Sequence, residues 1–296
     1  MTPHFPDFFL VGAPKCGTTA LYEFLGQHPE IFVPGEKELL FFARDLSFPT
    51  RLSEGEFLAH FAGRDAESLC GTAHTAYMQS RTAAREIAEV RPDARIIAML
   101  RDPAEMLPSW HSELLYETIE EIPDIEGALD AEADRRAGRR IPRSARNSYV
   151  EALYYSDVAR YAEQLRRFRD AFGETQVHVI LHEDLRERPE ETYRDALSFL
   201  GVDAGFQPQF ATHNVNKRVR SRALQRAIFA TSLPGHRAVR NLIPRRLRQR
   251  ILSANASPAQ REPLPAAAKA RIVRCYRDEV DQLEILIGRD LSGWLS

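Results

Sequence analysis

One short stretch near the start of the chain, residues 8–21, constrains the fold most. Its first four residues are all apolar, which is typical of a parallel strand buried on both faces. Gly12 and Gly17 permit a tight turn after that strand, and Thr18 and Thr19 begin an amphipathic helix. Because the free N–H groups at such a helix start point back into the loop, the stretch predicts an anion-binding site.

Apolar strands and amphipathic helices alternate along the rest of the chain. This order predicts an α/β fold with a largely parallel central sheet and helices on both faces. The predicted strands lie at residues 8–12, 95–100 and 177–181, with a short strand within 69–77, and the predicted helices at 18–27, 54–61, 81–90, from 103 onward, 154–172, 190–200 and 266–287. The simplest interpretation is one domain over residues 1–296, with an α/β nucleotide-binding core at 1–213 and a basic loop and helical C-terminal extension at 214–296.

The composition of the 296 residues is that of an ordinary globular protein with a net charge of −2. No window approaches the roughly 18 consecutive apolar residues of a membrane span, and no basic segment precedes the first apolar run. Cys16, Cys70 and Cys275 are too few and too scattered for a disulfide framework or a zinc site. We therefore expect a cytoplasmic protein without a transmembrane segment, which could form a homo-oligomer.

Basic residues are unevenly distributed. Residues 217–250 contain eleven Lys or Arg and no Asp or Glu, which suits either a solvated helical surface or contact with an anionic ligand. No nucleic acid partner is expected, because no nucleic-acid-binding module accompanies the charge. A second arginine-rich stretch, at residues 124–146, predicts a mobile or inserted segment over the sheet.

The loop of the first stretch departs from the ATP-binding P-loop at one position. Thr18 stands where the P-loop lysine is expected, and the lysine of this loop, Lys15, lies before the second glycine. Residues 14–19 instead resemble the 5′-phosphosulfate loop of sulfotransferases that use 3′-phosphoadenosine 5′-phosphosulfate (PAPS). The resemblance implies that Lys15 neutralises the leaving phosphate, and that the loop binds the donor through Lys15, Cys16, Gly17, Thr18 and Thr19.

The second diagnostic stretch is residues 95–103, an apolar strand that ends in an arginine. Arg101 at the strand end and Ser109 in the following helix could together grip an anion, although taken alone Arg101 and Asp102 suit a strand-capping pair. The pattern resembles the 3′-phosphate motif of PAPS sulfotransferases, which implies that Arg101 and Ser109 bind that phosphate. Met106 stands where many relatives have arginine.

The third stretch, residues 37–42, resembles the segment of heparan-type and bacterial sulfotransferases in which a glutamate is the base. The resemblance implies that Glu38 deprotonates the acceptor, while a surface carboxylate paired with Lys37 is the alternative. His74 is the rival for this role, because other members of the superfamily use a histidine near this position. A hydrogen-bonded structural histidine is the alternative for His74 and the preferred interpretation of His111.

A basic loop at residues 214–222 occupies the position where sulfotransferases close over the 3′-phosphate. Lys217 and Arg218 are its candidate donor-binding residues, with the start of a surface helix as the alternative.

Taken together, the resemblance covers nearly the whole chain and identifies it as similar to bacterial members of the PAPS-dependent sulfotransferases of the heparan-sulfate type. It implies a three-layer P-loop-like α/β fold and in-line transfer of a sulfuryl group to a hydroxyl or amine, without a metal. The expected acceptor is a small molecule, a glycan or a lipid, and no sequence motif distinguishes among these classes. Alternatives are a P-loop kinase, for which Asp102 is the candidate magnesium ligand, and a non-catalytic protein that binds PAPS or its product adenosine 3′,5′-bisphosphate (PAP).

Overall fold

A five-stranded parallel sheet forms the centre of the molecule. The computed structural model describes residues 4–65, 68–146, 148–210 and 264–296, and the backbone of two short strands at 217–219 and 256–258. The strands of the sheet are β1 (Phe8–Gly12), β2 (Ile31–Phe32), β3 (Leu69–Ala73), β4 (Arg95–Leu100) and β5 (Val177–Leu181), in the order β2-β3-β1-β4-β5. Every neighbouring pair in this sheet is parallel, so all five strands end at the same edge.

Helices cover the sheet and follow the predicted α/β order. They are α1 (Thr18–Leu25), α2 (Glu54–Ala59), α3 (Ala76–Gln79), α4 (Ala83–Val90), α5 (Pro103–Tyr116), α6 (Ile125–Asp130), α7 (Glu132–Arg136), α8 (Arg143–Arg146), α9 (Tyr155–Val158), α10 (Tyr161–Phe172), α11 (His182–Glu187), α12 (Pro189–Leu200) and α13 (Ala266–Ile287). Short 3₁₀ turns lie at Val150–Leu153, Glu174–Gln176 and Ser292–Leu295. None of the helices in the described ranges has the length and apolarity needed to cross a membrane.

Local sequence signals explain where several elements begin and end. The central strand β1 is buried at all five positions, as its apolar sequence predicts. Helix α5 begins with Pro103 and is capped by the Asp102 carboxylate, which accepts a hydrogen bond from the Ala104 N–H at 2.8 Å. Helices α12 and α13 both end at a glycine in the left-handed conformation, Gly201 and Gly288.

The segment at residues 124–146, predicted to be mobile or inserted, begins with helices α6 and α7, and its Arg135 side chain is fully buried. Arg135 donates to Glu120 at 2.7 Å, and the Tyr155 hydroxyl donates to the other oxygen of the same carboxylate at 2.9 Å. One of the arginines that suggested a solvated segment is therefore buried in the fold. It is tolerated there because it is ion-paired and hydrogen-bonded.

The short strand predicted within residues 69–77 is present as β3, and helix α3 follows it. The predicted helix at 154–172 is divided into α9 and α10. Strand β2 was not predicted, because two residues are too short to give a periodic signal.

The C-terminal helix α13 packs on the same hydrophobic core as the sheet. Its buried face includes Ile272, Val280 and Leu283, and the Tyr276 hydroxyl donates to the Tyr155 carbonyl at 2.8 Å. The strands β6 (Lys217–Val219) and β7 (Ala256–Pro258) pair antiparallel, apart from the main sheet.

Candidate active site

The proposed functional residues lie where strands of the parallel sheet end. The loop at residues 13–17 follows β1, His74 follows β3, Arg101 follows β4 and His182 follows β5. In parallel α/β sheets, ligands bind outside the carboxyl ends of the strands, next to the position where the strand order reverses. Strand β1 lies at that position, between β3 and β4.

The loop after β1 has the backbone geometry of an anion cradle. Gly12 passes so close to β4 that a Cβ atom there would lie 2.4 Å from the Met99 carbonyl oxygen, and its φ is +148°. Gly17 adopts φ +90° at the start of α1, and no side chain caps that helix. The first N–H groups of α1, which have no partner within the helix, are therefore available to a bound anion.

The side chains of this loop point in different directions. Thr18 is buried and Thr19 is exposed, while the buried Cys16 thiol contacts the Pro14 carbonyl at 3.6 Å. Burial raises the pKa of the Cys16 thiol well above its usual range. Cys16 can thus offer a ligand its backbone N–H but not a thiolate.

Lys15 is held by two residues that are distant in sequence. Its ammonium lies 3.1 Å from a carboxylate oxygen of Glu113 in α5, and its carbonyl accepts a hydrogen bond from the Arg101 guanidinium at 3.1 Å. Arg101 also binds Glu105 through Nε and Nη2, at 3.2 and 2.8 Å. The structure therefore brings the predicted residues Lys15 and Arg101 together at one side of the loop.

Asp102 and Ser109 belong to helix α5, the first as its N-cap and the second within it. The Asp102 carboxylate caps α5, and burial raises its pKa to about 6. Ser109 is buried on the same helix.

Glu38 reaches the start of α1 from the segment after β2. Its N–H donates to the Ala73 carbonyl at the end of β3 at 3.0 Å, and its carboxylate lies 3.3 Å from the Lys37 ammonium. The same ammonium donates to the Thr18 hydroxyl at 3.2 Å. Desolvation raises the pKa of Glu38, but the Lys37 and Lys15 ammonium groups and the neighbouring His74 ring outweigh that effect and leave the pKa below its ordinary value. Glu38 is consequently ionised at neutral pH.

His74 is a neutral side chain within the site. Burial lowers its pKa to about 4, despite the nearby Glu38 carboxylate. Its Nδ1 accepts a hydrogen bond from the Ala76 N–H at 3.1 Å, and its ring stacks on Tyr77 with the centroids 4.8 Å apart. Since Nδ1 is an acceptor, the proton of the neutral ring resides on Nε2. His74 can thus donate a hydrogen bond to a ligand through Nε2 but has no free nitrogen to take up a proton.

Sequence reasoning missed two glutamates one helical turn apart on the side of α5 near Lys15. Glu113 binds Lys15, and Glu117 follows four residues later at the end of the helix. Burial raises the pKa of Glu117 to about 7, helped by the charges of Glu113 and Glu38 and opposed by Lys15. The i,i+4 spacing of the two glutamates after Ser109 was the available signal.

His182 was also missed as a neighbour of the loop. A Cβ atom at Gly17 would lie 3.4 Å from its ring. Burial lowers the pKa of His182 to about 4, and the charges of Arg101 and Arg186 act in the same direction. The guanidinium groups of Arg101 and Arg186 thus lie within electrostatic reach of His182, which is beside the loop.

The remaining predictions concern His111, Lys217 and Arg218. His111 bonds the Ile122 carbonyl at 2.9 Å from a buried position, which confirms the structural interpretation of this histidine. The side chains of Lys217 and Arg218, and most of the basic segment 217–250, lie outside the described residues.

A family model and the related proteins that match this chain all belong to the sulfotransferases. The model of the sulfotransferase domain matches residues 5–227. The chain is 25% identical over 223 residues to the bifunctional heparan sulfate N-deacetylase/N-sulfotransferase 1 of Mus musculus, covering 67% of this chain and 22% of that protein. It is 29% identical over 204 residues to N-deacetylase/N-sulfotransferase 3 of Homo sapiens, with the same coverage. The chain thus spans about a fifth of the length of these relatives.

A solved structure extends the similarity to nearly the full chain. The crystal structure of a sulfotransferase from Alicyclobacillus acidocaldarius superposes with a TM-score of 0.73 at 27% identity, and covers 99% of both chains. The predicted P-loop-like α/β fold is confirmed by this likeness and by the parallel sheet. With a family model that matches most of its length and a neighbour of the same architecture, the chain belongs to the sulfotransferase family.

Proposed function

We propose that this sulfotransferase moves the sulfuryl group of PAPS to a hydroxyl or amine of its acceptor, with Glu38 as base and Lys15 beside the leaving phosphate. The observation that carries the proposal is the convergence of Lys15, Lys37 and Glu38 at the start of α1. The Lys37 ammonium donates hydrogen bonds to both Glu38 and Thr18, and the charge of Lys15 helps to lower the pKa of Glu38. An anion cradle and an ionised base are thereby adjacent.

The loop supports donor binding by its backbone. The N–H groups of Gly17, Thr18 and Thr19, with that of Cys16, would hold the 5′-phosphate at the positive end of α1. Arg101 and Ser109 would bind the 3′-phosphate, with Lys217 and Arg218 as further contacts.

The transfer step itself needs one base and one charge stabiliser. The acceptor oxygen or nitrogen forms a bond to sulfur as the bond from sulfur to the 5′-phosphate oxygen breaks, and the acceptor proton passes to Glu38. Lys15 neutralises the charge that develops on the leaving phosphate oxygen, so that PAP departs with its electron pair stabilised. Every role in this step is filled by a side chain, and the proposal includes no metal.

Between the two candidate bases, the hydrogen bonding of His74 favours Glu38. His74 presents an N–H to the site because its Nδ1 is occupied by the Ala76 N–H. The Glu38 carboxylate is ionised and half exposed, with 49% of its side chain accessible. In this proposal His74 donates a hydrogen bond to a substrate oxygen and Glu38 removes the proton.

The kinase alternative receives less support. A kinase needs a free carboxylate for magnesium at a strand end, and Asp102 instead caps α5. The non-catalytic alternative has the same donor site and differs only in turnover.

The acceptor is proposed by chemical class alone. The relatives are named as heparan sulfate N-sulfotransferases, so a glycan amine is the first class to test, followed by glycan hydroxyls, lipids and small metabolites. The match covers only 22% of the length of this relative, so the acceptor in its name is not assigned to this chain.

The test is an assay of sulfuryl transfer from PAPS to a panel of amine and hydroxyl acceptors. Transfer is measured as PAP release and by mass spectrometry of the sulfated product. We expect Glu38→Gln to lower kcat by about 10²–10⁴-fold, because the acceptor then loses its base. Lys15→Ala should have a loss of similar order, and His74→Asn a smaller one. Glu89→Gln, an exposed carboxylate of α4, serves as the matched control and should keep full activity.

Three results would contradict the proposal. Full activity of Lys15→Ala would remove that lysine from the mechanism. Tight PAP binding without turnover of any acceptor would favour the non-catalytic alternative. Binding of ATP with magnesium in preference to PAP would favour the kinase.

A further inference from the structure

The ammonium of Lys15 already has an anionic partner in the protein. Glu113 contributes a carboxylate oxygen 3.1 Å from Nζ, although the two residues are 98 positions apart in sequence. Both side chains are partly shielded, with 28% and 36% of their surfaces accessible. An ion pair of this geometry and burial is less screened than a pair on an open surface.

The backbone of Lys15 is fixed at the same time. Its φ of +64° is uncommon for a residue with a side chain, and the Arg101 guanidinium holds its carbonyl at 3.1 Å. The direction in which the Lys15 side chain leaves the loop is therefore determined by the fold. Only the end of that side chain is free to exchange one partner for another.

We propose that Glu113 is an internal counter-ion of Lys15 that occupies the ammonium until the 5′-phosphosulfate of the donor displaces it. This inference rests on the proposed donor site. In the free protein Glu113 keeps a partly buried ammonium paired, and in the donor complex the donor's anionic oxygen takes its place. Glu113 is thus a positioning residue, which acts through Lys15.

The exchange has an energetic consequence. Donor binding gains the contact between Lys15 and the phosphate but loses the contact between Lys15 and Glu113, so the measured affinity reports the difference between the two. A glutamine at position 113 keeps the shape of the side chain and removes most of the competing attraction. The donor should then bind more tightly to the variant than to the wild-type protein.

The exchange also changes the acceptor side of the site. Glu117 lies within electrostatic reach of Glu113, Glu38 and Lys15, and Lys15 is the cation among these three. When Lys15 turns to the donor, the Glu113 carboxylate is released close to Glu117.

The decisive experiment is calorimetry with PAP on four proteins: wild type, Glu113→Gln, Lys15→Met and the double variant. We expect Glu113→Gln to bind PAP about 3–10-fold more tightly than wild type. The double variant should bind PAP with the same affinity as Lys15→Met. The cycle is needed because removing a negative charge strengthens anion binding through the general field as well. A field effect persists without Lys15, whereas a displaced ion pair does not.

Two controls locate the effect. Adenosine 3′-monophosphate lacks the 5′-phosphate, so Glu113→Gln should bind it as wild type does. Glu121→Gln changes an exposed carboxylate beyond the end of α5 and should leave PAP affinity unchanged. In steady-state kinetics the donor KM of Glu113→Gln should fall, whereas a purely structural role of Glu113 would lower the melting temperature without lowering the donor KM.

The outcomes separate this inference from the proposed function. Unchanged or weaker PAP binding by Glu113→Gln, or an equal gain in the Lys15→Met background, overturns the inference and leaves the donor site intact. Absence of PAP binding by the wild-type protein overturns both.

Discussion

Lys15 and Glu38, the two residues proposed for the chemistry, share an uncommon backbone conformation. Their φ angles are +64° and +67°, and in both cases the surrounding hydrogen bonds hold the backbone in place. Residues in this region cost about 1–3 kcal/mol each and persist where the fold over-determines them, most often at functional sites. In these conformations the Lys15 ammonium meets Glu113 of α5, and the Glu38 carboxylate meets the Lys37 ammonium that also binds Thr18.

Gly12 gives a stability prediction at the scale of a single residue. Gly12→Ala would place a methyl group 2.4 Å from the Met99 carbonyl oxygen, in a conformation with φ +148°. Because the neighbour is backbone of the central strand β4, the clash cannot be relieved by a rotamer change. We expect a loss of about 2–4 kcal/mol in the free energy of unfolding, measured by urea denaturation.

Gly55 is the matched control for this prediction. A Cβ atom there meets nothing within 4 Å, and the residue lies in helix α2, so Gly55→Ala should be neutral or stabilise by up to ~1 kcal/mol. Equal stability of the two variants would show that the close approach of β1 to β4 can relax.

At the scale of the element, α5 connects the parts of the site. Asp102 caps it, Glu105 binds Arg101, Glu113 binds Lys15, and Glu117 ends it near Glu38. This helix therefore supplies carboxylates to Lys15 and to Arg101. The buried Pro108 within the helix leaves one intrahelical hydrogen bond unmade, without ending it.

Glu117 makes the stability of the protein depend on pH. Burial, with Glu113 and Glu38, raises its pKa to about 7 in the folded state, above the unfolded value of about 4.3. The folded protein therefore binds this proton more tightly than the unfolded chain, and the resulting stability is lost as the pH rises through 7. Glu117→Gln should remove this loss, so that its advantage over wild type grows by ~2 kcal/mol between pH 5 and pH 8.5.

Urea unfolding of both proteins across that pH range checks this prediction. Glu121→Gln is the control, since that carboxylate is exposed and should follow the wild-type profile. Parallel profiles for Glu117→Gln and wild type would contradict a raised pKa.

At the scale of the whole molecule, the C-terminal segment is bonded to the edge of the sheet where the site lies. Arg289 binds Asp184 at 3.0 Å, and the Trp294 indole donates to Glu183 at 2.8 Å. These two carboxylates directly follow His182, the residue beside Gly17. The residues that follow α13 therefore support the segment beside the anion cradle.

Helix α13 provides a test of this integration. Leu283→Ala removes a fully buried side chain and should cost about 2–5 kcal/mol in unfolding free energy. Ile285, on the same helix, is 83% exposed, so Ile285→Ala should change stability by less than ~0.5 kcal/mol. Urea unfolding followed by far-UV circular dichroism and by tryptophan fluorescence should show the Leu283→Ala loss in one common transition. Separate transitions for the two signals would mean that α13 unfolds on its own.

The fold and the donor loop could largely be predicted from the sequence. Strands β1, β4 and β5 have the predicted bounds. Strand β1 is buried at all five positions and β4 at five of six, and such strands are continuous apolar runs that local sequence records. The glycines and threonines of the loop carry their own conformational signal, and Gly17 has the expected turn geometry. These are properties of neighbouring residues, which local sequence can record.

The partners of the reactive groups were decided by the tertiary structure. Glu113 reaches Lys15 across 98 residues, Glu120 neutralises the buried Arg135, and the Ala76 N–H sets the tautomer of His74. The sequence by itself determined a parallel α/β fold with an anion loop at the end of its first strand. Only the tertiary structure decided which carboxylate faces which cation, because pKa values and ion pairs depend on distances and burial that arise when remote segments pack together.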